Sequence, residues 1–340
     1  MIHTDLIYGN ITFQDPIIDQ IIASRLFQRL KGLSQNGLYG LQVVIHLPMA
    51  HGQAPTRYQH SIGVAYLCQR FGASIEVQIY GLLHDLYHTN FSHDIDYLKD
   101  GTGQVSFHEA NKQKFFEKIS GLDQLSQILG SKYLPVLEDL ITNQNQSTYQ
   151  VVKSKELGAD GLDYFMRDGF THSVIVPEWI DNLLSNAIIL KDNHLLFTST
   201  TEAQRLQQEL FEFTKVIDQT IYNGATNKGY NFLSERLLRL VLAKGIITED
   251  QLFYGYESDL EIWKRITSLG DPEIECLCQL LRRTEFFYGS EPFLPKGSYI
   301  VKANVVLRHR SLGHKELGES KSHSLFLFGK LNVLNEHSHM

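Results

Sequence analysis

The 340-residue chain reads as a mostly α-helical protein with a small β element near its C-terminus. Three observations predict this class. Apolar residues recur at three- and four-residue steps through most of the sequence up to residue 285, the repeat of a helix with one buried face. Runs with β character are few and short. No internal repeat and no low-complexity linker divides the chain.

Taken in order, residues 17–35 carry Ile18, Ile21, Ile22, Leu26, Leu30 and Leu33 at helical spacing, which predicts one amphipathic helix. A loop through Gly37, Gly40, Pro48, Gly52 and Pro55 follows. Helices are expected over Thr56–Phe71 and over the strongly apolar, hence buried, Ile75–Tyr87. The pattern breaks at Asn90–Asp94 and loops at Gly101–Ser106. It resumes at His108–Ile119, 122–129, 133–142, 148–157 and 160–170. Pro177 opens a new segment, and residues 186–200 predict a hairpin turning at Asp192–Asn193. Helical patterns return over 201–222, 230–244, 258–268 and 272–283, and the runs EFFYG and SYIVKANVVLRH after Thr284 read as strands. The expected organisation is a core over residues 1–180, a helical continuation packed on it over 181–285, and a short β-like segment with a polar tail over 286–340.

With 43% hydrophobic and 20% charged residues, the chain has the composition of an ordered core rather than of a disordered one. A formal net charge of −7 argues against a surface built for nucleic-acid phosphates. No run of about 18 apolar residues suggests a membrane span. The start MIHTDLIYGN lacks a basic-then-apolar leader, so a cytoplasmic location is expected. Cys68, Cys276 and Cys278 are odd in number and form no paired knuckles, which makes them packing residues. Histidine is the unusual count, at 15. Five (His60, His84, His88, His93, His108) crowd one stretch; another five (His309, His314, His323, His337, His339) lie in a polar tail that reads as a solvated end.

The central motif is LLHDLYH at 82–88. A His-Asp pair closes a buried apolar run, where unpaired polar groups are costly unless bonded or bound to metal. Neutral imidazole nitrogen with anionic carboxylate oxygen suits a divalent first-row ion. Adjacent helical residues point about 100° apart, however, so helix geometry alone would not bring His84 and Asp85 to one ion. An isolated His-Asp pair is equally a hydrogen-bonded core histidine. The ordered set is more specific: FQRLKGLSQNG (27–37), TRYQHSIGVAYL (56–67), the His-Asp block, FSHDID (91–96), FHEA (107–110) and ADGLDYFMRD (159–168).

Together these blocks resemble the HD-domain phosphohydrolase superfamily, and most closely its deoxynucleoside triphosphate triphosphohydrolase branch. The resemblance implies an HD-domain helical bundle with a small β hairpin or sheet and a C-terminal α/β extension. It puts the metal ligands on His60, His84, Asp85 and Asp160, around a divalent Mn, Mg, Fe, Ni or Zn ion. His88, His93 and Asp96 fall on a layer that binds phosphate, holds the attacking water or carries part of a second metal. His108, with Glu109 beside it, matches the proton donor to the leaving oxygen. Arg57 matches a phosphate contact, and Gln35, Tyr164 and Asp168 match positions that hold the sugar. Arg29 and Arg167 read as structural ion pairs. The implied activity is metal-dependent hydrolysis of a small-molecule nucleotide or phosphate ester, with homo-oligomers expected from relatives. The best reading is a (deoxy)nucleoside triphosphate cut to nucleoside and tripolyphosphate; a phosphomonoesterase, a phosphodiesterase and a decayed regulatory module are the rivals.

The chain departs from the family at several positions. Tyr87 and Asn90 replace small or rigid residues and are expected to narrow the phosphate entrance. Gly161 stands where a Lys or Arg usually follows the last metal Asp. The stretch MAHGQAP (49–55) adds His51, either a loop insertion or a substrate contact. Ala23 replaces an Asp that recognises guanine nucleotide activators, so activation by them is not expected.

Overall fold

Helices form where the apolar repeat runs, but they are shorter and more often broken than that repeat predicts. The computed structural model describes residues 1–41, 54–100, 106–154, 156–288, 298–301 and 327–331. His51, most of the MAHGQAP stretch, residues 101–105 and the five tail histidines lie outside the described residues.

Residues 17–35 are not one helix. Pro16–Ala23 ends at Ser24, whose ψ of 146° is extended. The Ser24 hydroxyl then accepts from the Phe27 N–H at 3.3 Å and starts Arg25–Gln28, followed by a 3-10 turn over Arg29–Gly32. A serine side chain competes with the helix ladder in this way, and periodicity cannot register it. Arg57–Arg70 begins in a capping box of Thr56 and Gln59. It packs on Ile75–Leu83, which Ser74 caps. That second helix stops at Leu83, four residues before the expected Tyr87. The next turn is closed by tighter bonds, Leu86 N–H to Leu83 O at 2.9 Å and His88 N–H to Asp85 O at 3.0 Å.

Further along, Leu122–Thr142 is two helices joined at Gly130, whose φ of 57° and ψ of −174° are non-helical. Pro135 sits early in the second half, where its missing N–H removes few ladder bonds. The 108–119 prediction splits at Asn111 into Phe107–Ala110 and Lys112–Lys118, and 148–157 becomes a 3-10 turn and the one-turn helix Gln150–Lys153. Ala159–Thr171 and Pro177–Asn186 follow. The hairpin pairs Ile188–Lys191 with His194–Phe197, and Asp192 (φ 49°) and Asn193 (φ 59°) form its left-handed turn as expected. Thr201–Ile217 runs into a π-turn at Asp218–Tyr222, and Ala225–Ala243, Asp259–Thr267 and Pro272–Arg283 complete the long helices. The sequence did not announce an N-terminal antiparallel pair, Ile2–Asp5 with Gly9–Thr12, the short helices Gly37–Gly40 (expected as loop), Asp96–Asp100 and Glu249–Tyr254, the helix Pro177–Asn186, or the strand Leu327–Leu331. That strand sits between Thr284–Tyr288 and Ser298–Val301 in an antiparallel sheet.

Among the described residues two apolar cores result. One gathers Ile18, Leu26, Val64, Ile79, Leu137 and Phe165; the other gathers Leu38, Phe91, Leu237, Ile262 and Trp263. Polar bonds tie the second core to the turn that follows the His-Asp pair. Arg29 does not pair with a carboxylate as expected. Its Nε donates to Gly255 O at 2.7 Å and its Nη1 to His88 O at 2.8 Å. Asp259, fully buried, accepts from the Ser34 N–H at 2.8 Å, the Phe91 N–H at 3.0 Å and Asn90 Nδ2 at 2.9 Å. Residues 34 and 90–91 are thus clamped from a helix more than 160 positions downstream.

Burial raises the Asp259 carboxyl from 3.8 to about 6, against the pull of its three bonds. A raised acid stabilises the fold fully below its unfolded value, and that contribution is lost as pH climbs through the folded value. The window is therefore about pH 4 to 6, and the amount is about 3 kcal/mol at ~1.4 kcal/mol per unit. Urea unfolding at pH 4 and pH 7 is expected to show a fall in stability that Asp259→Asn reduces by about that amount. An equal fall in both proteins would refute the assignment.

Candidate metal centre

His60 lies one turn into Arg57–Arg70, His84 is the C-cap of Ile75–Leu83, Asp85 follows it in the tight turn, and Asp160 sits in the first turn of Ala159–Thr171. Asp160 is not that helix's cap, since the N-cap is Gly158. His60 Nε2 and His84 Nε2 face each other at 3.2 Å. Asp160 Oδ1 lies 3.2 Å from the first and 3.5 Å from the second. Asp85 stands beside them, with Oδ2 3.6 Å from His60 Nε2 and Oδ1 3.4 Å from His84 Nε2. The end of the helix at Leu83 is what lets adjacent His84 and Asp85 address one point.

The partners of the far ring nitrogens set the tautomers. His84 Nδ1 donates to the Gly81 carbonyl at 2.7 Å, and a carbonyl only accepts. His60 Nδ1 donates to the Asp163 carboxylate at 2.7 Å. In the neutral rings both Nε2 atoms are then bare acceptors, aimed at each other and at two carboxylates. Four lone pairs converging in a buried space demand a cation, and the two-His, two-carboxylate set fits a divalent metal. His60, His84 and Asp160 lie close enough together to share one ion. Without one, burial would push the His60 imidazole down, but Asp160 and Asp163 overcome that and lift it to about 9.

Behind His60 stands a network the sequence did not reveal. Asp163 takes Arg167 Nε at 2.7 Å and the Tyr8 hydroxyl at 2.7 Å, and Arg167 also pairs with Asp5 at 2.9 Å. Arg167 is thus the structural pair expected of it. Gly63 makes room: a Cβ there would lie 1.9 Å from Asp163 Oδ1. The signal for Asp163 was its position three residues after Asp160, on the same helix face. Asp5 and Tyr8 had none, because the N-terminal hairpin itself went unread.

Arg57 Nη1 holds Asp85 Oδ2 at 2.7 Å. Although burial opposes ionisation, His84 and Arg57 hold the Asp85 carboxyl well below its usual range. His88 lies with its Nε2 3.6 Å from Asp85, and its ring is 3.7 Å from that of His108. His93 Nδ1 contacts Asp96 Oδ2 at 3.0 Å, while Asp96 Oδ1 accepts the Phe107 N–H at 2.6 Å. His93, Asp96 and His108 form a second group that could share an ion. Burial and Arg57 keep the His88 imidazole well below its usual value, and burial with His93 brings His108 down to about 3. Both rings are neutral at pH 7, and His88 Nδ1 is buried without a partner.

A cavity of about 390 Å³ joins this cluster to a polar, aromatic end. Arg57, His88, His93, Asp96, His108 and Glu109 line it near the centre, and Gln35, Tyr164 and Asp168 line it further out. Every candidate residue except His84 borders it, His84 lying behind His60 and Asp85. Asp168 accepts from the Tyr222 hydroxyl at 2.5 Å and Asn36 Nδ2 at 3.3 Å; the Gln35 Oε1 is buried without a partner. Lys153, Tyr222, Asn227 and Lys228 also border the cavity, on elements outside the matched blocks or with no chemical signature of their own. Two expectations fail. Tyr87 and Asn90 do not narrow the entrance: Tyr87 is buried in the core with its hydroxyl on Glu109 at 2.7 Å, and Asn90 is spent on Asp259 and the Glu257 carbonyl.

The HD domain family matches residues 57–141. The uncharacterized protein YdhJ of Bacillus subtilis (strain 168) is 30% identical over 259 residues, covering 76% of this chain and 74% of that protein. The metal-dependent phosphohydrolase cns2 of Cordyceps militaris is 27% identical over 284 residues, covering 79% and 74%. A deoxynucleoside triphosphate triphosphohydrolase SAMHD1 homolog of Dictyostelium discoideum is 26% identical over 340 residues, covering 91% of this chain and 58% of its own length.

Elemental analysis tests the ligand set. Asp160→Ala or His84→Ala is expected to lose the bound divalent ion, whereas Asp163→Asn, which alters the acceptor that orients His60 without removing a ligand, is expected to weaken metal affinity about 10- to 100-fold. Full occupancy in Asp160→Ala with an intact fold would remove Asp160 from the set.

Proposed function

The chain belongs to the HD-domain superfamily of metal-dependent phosphohydrolases, and on that premise we propose that it hydrolyses a (deoxy)nucleoside triphosphate to the nucleoside and tripolyphosphate. One observation carries this reading: a single cavity joins the His60–His84–Asp85–Asp160 cluster to the outer set of Gln35, Tyr164 and Asp168. Its volume of about 390 Å³ is within the range of sites for ligands of nucleotide size, roughly 300 to 1,000 Å³. The similarity to a triphosphohydrolase homolog over 91% of the chain supports it as well.

His60, His84, Asp85 and Asp160 would hold the ion. A divalent ion there supplies Lewis acidity, which neutralises phosphoryl charge and can acidify a water from about 16 towards 7. The chain's own groups do the rest. Gln35 and Asp168 hold the sugar, with Tyr164 against it, so the 5′-oxygen and α-phosphate lie toward the histidines. Arg57 donates through Nε to Ser92 Oγ, through Nη1 to Asp85 and through Nη2 to the Gln35 carbonyl, and takes a phosphoryl oxygen through a remaining N–H of Nη1 or Nη2. His88, with an unsatisfied buried Nδ1, hydrogen-bonds the attacking water or a phosphate oxygen. Asp96 orients His93, and His108 protonates the departing 5′-oxygen with Glu109 at its side. His108 is neutral before substrate arrives, and the polyanion that displaces water around it is what charges it.

One observation favours a phosphatase or phosphodiesterase instead. Gly161 contributes no side-chain charge at the position after Asp160, where a triphosphate tail would use one.

Reaction in ¹⁸O-water separates these readings. Label within tripolyphosphate is the expected result, since attack on the α-phosphorus leaves the new oxygen there. Label in the nucleoside would mean attack at sugar carbon, and stepwise orthophosphate would mean a phosphatase. His108→Ala is expected to keep its metal and lose turnover by about 10²- to 10⁴-fold. Parental turnover in that variant would remove His108 from proton transfer.

A further inference from the structure

We propose that Lys153 is a phosphoryl-binding, specificity-determining side chain, supplying on the Asp160 side of the centre the cation that Arg57 supplies on the Asp85 side. The inference rests on the phosphohydrolase reading but not on the triphosphate reading.

Lys153 ends the one-turn helix Gln150–Lys153, whose Val151 and Val152 are fully buried and anchor it. Seven residues on, Asp160 lies in the first turn of another helix, whose N-cap Gly158 packs against the Val152 carbonyl. At Gly158 an added Cβ would lie 2.5 Å from the Val152 carbonyl oxygen, so only glycine permits the approach. The result is a lysine whose Nζ stands 3.8 Å from Asp160 Oδ2 while Asp160 Oδ1 faces the two histidines. Asp160 thus has the metal cluster on one oxygen and Lys153 on the other. Asp85 likewise has a cation beside the cluster, with His84 near Oδ1 and both Arg57 and His60 near Oδ2. Both cations border the one cavity.

The charges show what these cations are for. A divalent ion would balance the two carboxylates of Asp85 and Asp160. Glu109, the other carboxylate near Lys153, already receives the Tyr87 hydroxyl at 2.7 Å and lies 3.6 Å from Lys112 Nζ. The other carboxylates of the cavity have partners of their own, Asp94 the Leu38 N–H, Asp96 His93 and the Phe107 N–H, and Asp168 the Tyr222 hydroxyl and Asn36, so beside the metal cluster Arg57 and Lys153 are the cations that an anionic oxygen would meet. Lys153 is also the looser of the two. It is about a quarter exposed (27%), and 3.8 Å is a long ion pair, whereas Arg57 is buried and bonded at 2.7 Å. A flexible ammonium that can leave its carboxylate is a suitable second contact for a phosphate chain. It also restores, from another element, the charge that Gly161 lacks.

The test uses full-length protein loaded with Mn²⁺ and calorimetric titration with inorganic tripolyphosphate and, separately, orthophosphate. Lys153→Met is expected to bind tripolyphosphate at least about tenfold more weakly, as loss of one charge-assisted contact predicts. Its manganese content should be unchanged. Lys153→Arg should stay within about threefold of the parent, and Lys153→Gln replaces the Met variant if that does not fold. Unchanged tripolyphosphate affinity in Lys153→Met would overturn the proposal. So would loss of manganese, since Lys153 would then act only by positioning Asp160. Binding of orthophosphate but not tripolyphosphate by the parent, with the same dependence on Lys153, would support this inference while refuting the triphosphate reading. A parent that binds neither anion overturns both.

Discussion

The contact on which the centre depends is the 2.7 Å bond from His60 Nδ1 to the buried Asp163 carboxylate. It fixes which nitrogen of His60 carries the proton, and so it leaves Nε2 bare toward His84, Asp85 and Asp160. An isolated carboxylate at full burial would be too costly to keep ionised. Here Arg167 and the Tyr8 hydroxyl share its charge, and Asp5 holds the far side of Arg167. Three distant parts of the chain therefore converge behind one imidazole: the N-terminal hairpin, the Arg57–Arg70 helix and the Ala159–Thr171 helix. Gly63 is the steric condition for that convergence.

The second constraint is where a helix stops. Had Ile75–Leu83 run on to Tyr87, His84 and Asp85 would have pointed to different neighbours. The turn at 84–92 is instead held by Arg29 on the His88 carbonyl and by Asp259 on the Asn90 amide and the Phe91 N–H. These bonds come from residues that never touch the cavity. The second apolar core, which contributes no ligand to the centre, thereby sets the geometry of the turn that does. Preorganisation of this kind places rigid donors where charge must be met, and it does so before any ligand arrives.

Electrostatically the cavity is divided. Carboxylates collect at its base, where the bare imidazole nitrogens leave room for a cation, and Arg57 and Lys153 stand outside them. Between lie His88 and His108, which burial keeps neutral. Neutral imidazoles can donate or accept and so do not commit the site to a proton direction before an anion enters. No described helix is long and apolar enough to cross a membrane.

Read alone, the sequence determined the helical class, because apolar repeats survive in one dimension. Through the family resemblance of its ordered blocks it also pointed to His60, His84, Asp85 and Asp160, and the structure brings these four side chains together. The hairpin at Asp192–Asn193 was legible for the same reason, since two residues tolerant of positive φ sit between β runs. Only the three-dimensional structure decided where helices break, because Ser24 and Asn111 interrupt them with local side-chain bonds and the turn after Leu83 is held by Arg29 and Asp259, none of which periodicity encodes. It also decided that Tyr87 and Asn90 serve the frame and not the entrance. Asp163, Arg29, Asp259 and Lys153 were invisible in their roles for one physical reason. A buried charge is defined by what surrounds it, and here its partners lie as far as 226 positions along the chain.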